Sequence, residues 1–469
     1  MSVVAAMRLS GADVWPLVEG GKGVAVSNGR SAGAWAAAGG VGTFSGVNAD
    51  VIDENGEYVP LVFKGRDRLA RHEELIDYSI RGGISQAQIA HDVSGGQGRI
   101  HMNVLWEMGG AERVLHGVLE GARGLIHGVT CGAGMPYRLA EICARYGVHY
   151  YPIVSSSRAF NALWKRAYHR FQDWLGAVVY EDPWLAGGHN GLSNSEDPTR
   201  PEDPYPRVKA LRDVMRAVGL GEVPIVMAGG VWHLKDWLHW IGNKELGPIA
   251  FQFGTRPLLT QESPIPMTWK ERLLRLLPGD VLLHRFSPTG FYSSAVKNRF
   301  LNELVERSER QVPFAEERDD AAGRTMFLPY GRSNHGVWLT PEDHARAQAW
   351  IDAGFSQPMR TPDSTLIFVD PARAHRIRKD QQGCMGCLSH CKFSNWKDHG
   401  DHTTGKFPDP RSFCIQTTLM DIAHGRGAPL DDQLMFAGHN VHKFQEDPFY
   451  ANGFIPTVKQ LVQRILTGL

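Results

Sequence analysis

The sequence contains no long apolar run. The first residues, MSVVAAMRLSGADVWPLVEGG, include no stretch of signal-peptide length, and no run of about 20 apolar residues follows. We therefore predict neither a signal peptide nor a membrane-spanning helix, and we expect a cytoplasmic protein without a membrane partner.

The sequence also has no excess of either charge. Lys and Arg number 50, and Asp and Glu number 50. Nothing in the net charge indicates a basic surface for nucleic acid or an acidic tail. This balance favours a small-molecule substrate and makes a nucleic-acid partner unlikely.

Cysteine is scarce and unevenly placed. Only six cysteines occur among 469 residues, and four of them fall between 384 and 414. A disulfide framework would spread its cysteines through the fold. A metal or cluster site is therefore the first interpretation of this group.

Internal repeats and low-complexity tracts are absent, and the length favours two units over one enlarged core. The first 302 residues instead alternate short apolar runs with helical patterns. Near-continuous apolar runs are typical of parallel strands covered on both faces. The eight predicted strands are 14–19, 41–44, 99–106, 124–130, 149–155, 177–181, 224–229 and 250–254.

Helical patterns alternate with these strands, so the order is strand then helix, eight times over. The predicted helices between the strands include 29–38, 66–79, 110–121, 137–146, 157–174, 206–218 and 235–242. This order predicts an α/β fold, a closed (β/α)8 TIM barrel. An open doubly wound sheet is the alternative, since alternation alone does not distinguish the two. Glycines just past strands six, seven and eight favour the barrel.

The alternation stops after residue 302. A stretch rich in Pro, Arg, Asp and His carries the four cysteines, and the last 40 residues turn apolar and helical again. We therefore predict a barrel over 1–302, an insertion over 303–430, and a C-terminal segment over 431–469. The helical stripe of 455–466 is expected to pack back on the barrel.

The glycines after the last two strands predict a phosphate site. Barrel enzymes commonly hold a phosphate there with backbone N–H groups, and a side chain would prevent the close approach. Gly229, Gly230, Gly254 and Thr255 meet this requirement. The alternative is that these glycines only form tight turns.

Several motifs occur in an order that resembles one family. They are PLVEGGKGVAVSNGRSAGAWAAAGGVGTFSG, GAGMP, AGGHNG, PIVMAGGV, FQFGTRPLLTQES and VKNRFL, followed by LMFAGHNVHKF. Together they resemble the nitronate monooxygenase family, formerly called 2-nitropropane dioxygenases, and the related FMN-dependent enoyl-acyl-carrier-protein reductases. The resemblance implies a barrel that binds FMN non-covalently. The implied FMN contacts are Gly21, Lys22, Gly23, Asn103, Gly187, Gly188, Gly229, Gly230, Gln252, Gly254 and Thr255.

One position departs from the family. The family usually has Gly-Gly-Met-Gly here, and Lys22 stands in place of the methionine. A cation beside the flavin would favour its anionic reduced form. The alternative is that Lys22 points to solvent.

His189 lies in AGGHNG, just past strand six, where barrel enzymes place catalytic groups. In the family, the histidine of this motif lies beside the flavin and acts as a general base or as a donor that orients an anion. Imidazole suits proton transfer near neutral pH. We expect His189 to be catalytic; a structural histidine in a turn is the alternative.

The cysteines predict a soft-ligand site. Cys384, Cys387 and Cys391 follow the spacing C-x2-C-x3-C, and Cys414 follows after 22 intervening residues. Four thiolates suit a [4Fe–4S] cluster or a structural zinc. The spacing resembles the cluster site of old-yellow-enzyme relatives, another group of FMN barrels, although their fourth cysteine comes sooner. The remaining alternative is that the cysteines hold neither a cluster nor zinc.

Three functions follow from these features. The leading one is FMN-dependent oxidation of alkyl nitronates. Ordinary nitronate monooxygenases lack the insertion, so the second function is an iron–sulfur flavin reductase that acts on an activated C=C. NAD(P)H or an electron-donor protein would supply its electrons. The third is a non-enzymatic scaffold whose insertion docks a protein or nucleic acid through the basic run 371–379.

Overall fold

A closed barrel of eight parallel strands forms the centre of the molecule. The computed structural model describes residues 2–331, 335–399, 402–424 and 428–469. The barrel strands, β1 to β8, are Leu17–Glu19, Val41–Ser45, Arg99–Leu105, Gly128–Gly132, His149–Val154, Val178–Glu181, Ile225–Ala228 and Ile249–Phe253. Their order around the barrel follows the chain, and β8 pairs with β1 to close it. The predicted (β/α)8 barrel is confirmed, and the open-sheet alternative is wrong.

Thirteen α-helices lie within the described ranges. They are α1 Gly29–Ala37, α2 Arg68–Ser94, α3 Ala111–Gly121, α4 Leu139–Tyr146, α5 Ser157–Arg166, α6 Pro204–Ala217, α7 Met267–Leu273, α8 Arg299–Glu309, α9 Pro341–Asp352, α10 Pro371–Gln382, α11 Ile415–Ala423, α12 Lys443–Glu446 and α13 Val458–Leu466. Asp67 caps α2 by accepting a hydrogen bond from the Ala70 N–H, and Gly95 ends it in the left-handed region at φ 59°. The predicted helix 66–79 therefore continues to Ser94.

Two other predicted helices are shorter than expected. The segment predicted as 157–174 divides into α5 and a 3-10 turn over Tyr168–Trp174. The helix predicted after β7 is only a 3-10 turn, Leu234–Trp237.

Branched and small apolar side chains fill the interior of the barrel. Val18, Val41, Val179 and Val226 belong to one buried cluster. A hairpin of Met7–Leu9 and Ala12–Val14 contributes Leu9 and Val14 to the same cluster and covers the amino end of the barrel. The functional residues are consequently confined to the carboxyl end.

The remaining strands form small antiparallel sheets. Gln311–Pro313, Gln357–Arg360 and Thr365–Val369 form one sheet, and Met326–Pro329 pairs with Gly336–Leu339. Val281–His284 and Ser293–Val296 form a hairpin after the barrel, here called the post-barrel hairpin. The short pairs are Val51–Ile52 with Tyr58–Val59, Gly188–His189 with the post-barrel hairpin, and His390–Cys391 with Trp396–Lys397.

The predicted insertion has a hydrophobic cluster of its own, which includes Val312, Leu339 and Phe368. Helix α8, however, crosses the predicted boundary at 302. The division into 1–302, 303–430 and 431–469 stays a prediction.

The last helix packs on the barrel. Helix α13 contacts α1, and its apolar face is buried at Val458, Leu461 and Ile465. Thr457 and Gln460 form a capping box at its start. In the described ranges, no helix is both long and apolar enough to cross a membrane; the cytoplasmic location stays a prediction.

Candidate active site

A cavity of about 200 Å³ opens at the carboxyl ends of the barrel strands. Residues at the ends of all eight strands line it, and segments from the C-terminal half cover it. All twelve positions that the sequence predicts for catalysis and FMN binding lie on this one cavity. They are Gly21, Lys22, Gly23, Asn103, Gly187, Gly188, His189, Gly229, Gly230, Gln252, Gly254 and Thr255.

The glycines after β7 and β8 differ in the structural reason that requires a glycine. Gly229 and Gly230 have φ values of 89° and 76°, which lie in the left-handed region that disfavours side chains. Gly254 lies outside that region, and a Cβ built on it would have no atom within 4 Å. The turn itself therefore requires Gly229 and Gly230, whereas Gly254 leaves open space in the cavity.

Gly21 allows the loop after β1 to lie against Asn103. A Cβ on Gly21 would lie 2.3 Å from the Asn103 Cβ. This glycine is needed for packing within the protein, independently of any ligand.

Lys22 is held by the protein. Its Nζ lies 3.0 Å from Glu19 Oε1 and donates to the Gly20 carbonyl at 2.9 Å. The Glu19 side chain has no exposed surface, and that of Lys22 is 12% exposed. The alternative that Lys22 points to solvent is wrong, and its positive charge is paired with a buried carboxylate.

His189 is part of a two-residue strand rather than a turn. Gly188 and His189 pair antiparallel with Ser294 and Ser293 of the post-barrel hairpin. The His189 Nε2 lies 2.7 Å from Ser287 Oγ, and its ring centre is 5.4 Å from that of Phe436. Burial lowers the pKa of His189 to about 4. The imidazole is therefore neutral near pH 7.

Glu181 is a cavity residue that the sequence analysis missed. It is the last residue of β6, and burial together with the neighbouring Asp182 raises its pKa to about 8. Its position at the carboxyl end of a barrel strand is the signal that could have identified it.

The C-terminal segment closes the cavity beside the glycine loops. Asn440 Nδ2 donates to the Gly230 carbonyl at 2.6 Å, and the Gly438 N–H donates to Thr255 Oγ1 at 2.9 Å. Phe436 and its neighbours complete this wall.

Residues 127–358 match the family model described as nitronate monooxygenase. The match confirms the resemblance to this family that the motifs predicted. It supports the coarse activity predicted above, a flavin-dependent oxidoreductase.

Two solved structures share the fold. FabK from Thermotoga maritima is 14% identical, with 97% of this chain and 92% of that chain covered and a TM-score of 0.51. The enoyl reductase domain of MlnA from Bacillus amyloliquefaciens is 11% identical, with 97% and 94% covered and a TM-score of 0.50. No curated protein matches the chain.

The residues that match the family model end before the four cysteines, but one of these cysteines lines the cavity. Cys387 lines the cavity, and its carbonyl accepts a hydrogen bond from the Gly109 N–H at 3.0 Å. Burial and the nearby Cys414, Cys391 and Cys384 raise the pKa of the Cys387 thiol. The insertion therefore covers the carboxyl face of the barrel.

Cys384, Cys391 and Cys414 do not line the cavity. All four cysteines of the group are unbridged. Within the described ranges, no group of three or more His, Cys, Asp or Glu side chains is arranged to hold a metal ion. The predicted [4Fe–4S] cluster or zinc gains no support from the structure.

The basic run 371–379 lies on α10. Arg373 lies 3.5 Å from Glu303, and Ala374 and Ile377 are buried. Part of this run therefore packs on the protein itself.

Proposed function

We propose that the protein is an FMN-dependent nitronate monooxygenase that oxidises alkyl nitronates. With dioxygen, two nitronates give two carbonyl compounds and two nitrites. The match of residues 127–358 to the nitronate monooxygenase family model supports this proposal. The observation that carries it is the convergence of the twelve predicted positions, His189 included, on a single cavity.

The cavity offers groups for each part of FMN. Gly229, Gly230, Gly254 and Thr255 would hold the phosphate, and the open space at Gly254 fits an occupant at that point. The flavin ring would lie along Gly21–Gly23, with Asn103 near its pyrimidine edge and Gln252 beside it. When bound, FMN supplies the one-electron oxidation of the nitronate and the subsequent reaction with oxygen.

His189 would orient the nitronate, which has already lost the α-proton of its parent nitroalkane. The His189 Nε2 is hydrogen-bonded to Ser287, and within the part of the chain that the structure describes Nδ1 has no hydrogen-bond partner. A neutral imidazole can donate one hydrogen bond to a nitronate oxygen. Ser287 acts as a positioning residue that fixes the ring.

The proposal is tested by incubating the FMN-loaded protein with an alkyl nitronate in air. We expect oxygen uptake and nitrite release. The parent nitroalkane, held at a pH where it stays protonated, is the substrate control. Absence of nitrite, together with reduction of an activated C=C by NAD(P)H, would contradict the proposal.

The cysteine spacing leaves a second candidate, a flavin reductase with a metal or cluster centre, and Cys387 is the cysteine that lines the cavity. Cys384, Cys387, Cys391 and Cys414 would supply the thiolate ligands. NAD(P)H or an electron-donor protein would supply the electrons. Iron, sulfide and zinc analysis of anaerobically purified protein tests this candidate.

Cys387→Ser removes one of the proposed thiolate ligands. Cys143→Ser, which changes a buried cysteine of α4, is its control. Metal that is present in the wild type and in Cys143→Ser but lost in Cys387→Ser would support the centre. Metal-free wild-type protein with flavin absorbance alone would rule out this candidate.

A further inference from the structure

A second cavity of about 440 Å³ lies behind His189, within the volume range of small-molecule pockets, roughly 300–1,000 Å³. Ser287 lines this second cavity and also bonds His189 across the wall that the two cavities share. The other lining residues are His284, Arg285, Phe286, Gly290, Leu304, Val305, Ser308, Gln311, Lys392, Asp409, Arg411 and Ser412.

Backbone hydrogen bonds fix the walls of the second cavity. The Lys392 N–H donates to the Pro288 carbonyl at 3.2 Å, and the Asp409 N–H donates to the Lys392 carbonyl at 3.0 Å. Ser412 Oγ donates to the Phe286 carbonyl at 3.1 Å. The tip of the post-barrel hairpin is thus joined to the chain that follows Cys391.

Two cations converge on Gly290 at the tip of this hairpin. Arg285 Nε donates to the Gly290 carbonyl at 3.2 Å. Lys392 Nζ lies so close to Gly290 that a Cβ added to this glycine would be 2.4 Å from it. Across the described ranges, no carboxylate lies within 4 Å of either cation, and both residues are exposed to solvent.

The other cation of the second cavity, Arg411, forms ion pairs with carboxylates. Arg411 contacts Asp409 at 2.8 Å and Asp363 at 2.9 Å. Burial lowers the pKa of His284, and the charge of Glu309 acts in the opposite direction. The second cavity therefore has a net positive charge, with hydroxyls of Ser287, Ser308 and Ser412 on its walls.

We propose that the second cavity binds the phosphate group of a second ligand. Two adjacent cations match the charge of a phosphate, and guanidinium geometry suits phosphate oxygens. Two sources carry this chemistry, a dinucleotide reductant and a coenzyme A thioester. The proposal is independent of nitronate oxidation, because a phosphate site would exist whichever reaction the flavin cavity supports.

The test uses FMN-loaded protein, so that the phosphate site of the flavin is already filled. Inorganic pyrophosphate is titrated calorimetrically into wild type, Arg285→Ala and Lys392→Ala. We expect each variant to bind about three- to tenfold more weakly, and added salt to weaken binding to the wild type. Lys406→Ala, an exposed lysine outside the second cavity, should bind like wild type.

Competition then identifies the source of the phosphate. Displacement of pyrophosphate by NADPH or NADH supports a reductant, and displacement by coenzyme A supports an acyl carrier. Absence of pyrophosphate binding, equal binding by all variants, or displacement by none of these ligands would overturn the proposal. Flavin content and nitrite release are recorded separately, so a failure here is distinguishable from a failure of nitronate oxidation.

Discussion

At the scale of single residues, the site contains two titratable groups that burial keeps neutral near pH 7. His189 has a pKa of about 4 and Glu181 a pKa of about 8, and both shifts arise from burial at the carboxyl end of the barrel. Near pH 7 both side chains are therefore neutral. A cavity with this charge state would receive an anionic nitronate without repulsion from Glu181.

Replacing His189 tests whether it takes part in the chemistry. We expect His189→Ala to retain FMN and to lose turnover by about 10² to 10⁴, the contribution of a general acid or base. Ser287→Ala should lower kcat by less, because it removes only the partner of Nε2. Steady-state kinetics and flavin absorbance of both variants are the measurements. Undiminished turnover in His189→Ala would show that the histidine is structural.

Gly254 gives the sharpest test of the phosphate assignment. Because its Cβ would meet no protein atom and its φ is ordinary, Gly254→Leu should fold normally and lose FMN. Gly229 is a poorer choice, since a Cβ there would lie 3.0 Å from Asp182. Flavin absorbance per protein and circular dichroism check the outcome.

Gly221→Leu is the control for this substitution, since it changes a glycine of ordinary φ outside the cavity. A Gly254→Leu protein with the full flavin content would contradict the assignment.

At the scale of elements, the C-terminal segment completes a cavity that the barrel leaves open. Residues from Leu434 to Asn440 line it, and two hydrogen bonds join this segment to the loops after β7 and β8. The barrel strands supply the floor and a distant part of the chain supplies the cover. The ability to retain a cofactor is thus expected to depend on both.

Asn440→Ala tests this dependence. Loss of its hydrogen bond to the Gly230 carbonyl should leave that acceptor unpaired and loosen the glycine loop, at a cost of about 1–2 kcal/mol. We expect FMN to bind roughly five- to thirtyfold more weakly. Fluorescence titration of the apoprotein with FMN measures this. Asn302→Ala, on the exposed face of α8, is the control, and an Asn440→Ala protein with wild-type affinity would show that the segment is not needed.

At the scale of the whole molecule, buried histidines should make stability depend on pH. Burial lowers the pKa of His127 and His189 to about 4 and that of His101 well below its usual value. Between about pH 4 and 6.5 the unfolded chain binds more protons than the folded one, so stability falls as the pH is lowered through this window. Glu181 acts oppositely: its stability contribution is lost as the pH rises from about 4.5 to 8.

Thermal midpoints at pH 5, 7 and 8.5 test both directions. We expect a lower midpoint at pH 5 than at pH 7. Glu181→Gln should gain stability over wild type at pH 8.5, on the order of 2 kcal/mol, and little at pH 5. Glu306→Gln on the exposed surface serves as control. Equal effects of Glu181→Gln at pH 5 and 8.5 would contradict the raised pKa.

The sequence by itself determined the barrel and the floor of its cavity. Apolar runs and glycine turns are local signals, and parallel strands place their carboxyl ends together, so residues such as Gly254 and His189 could be located from the order of elements alone. The predicted lengths of α2 and of the helix after β7 are wrong, because caps and packing set where helices end.

Only the tertiary structure decided the charge states and the neighbours. The partner of His189 is 98 residues away, the cover of the cavity comes from the C-terminal segment, and Cys387 reaches the cavity from the insertion. The two cations at Gly290 likewise come from segments about a hundred residues apart. Burial and pairing depend on all the groups that surround a side chain, and no local pattern records which distant segments those are.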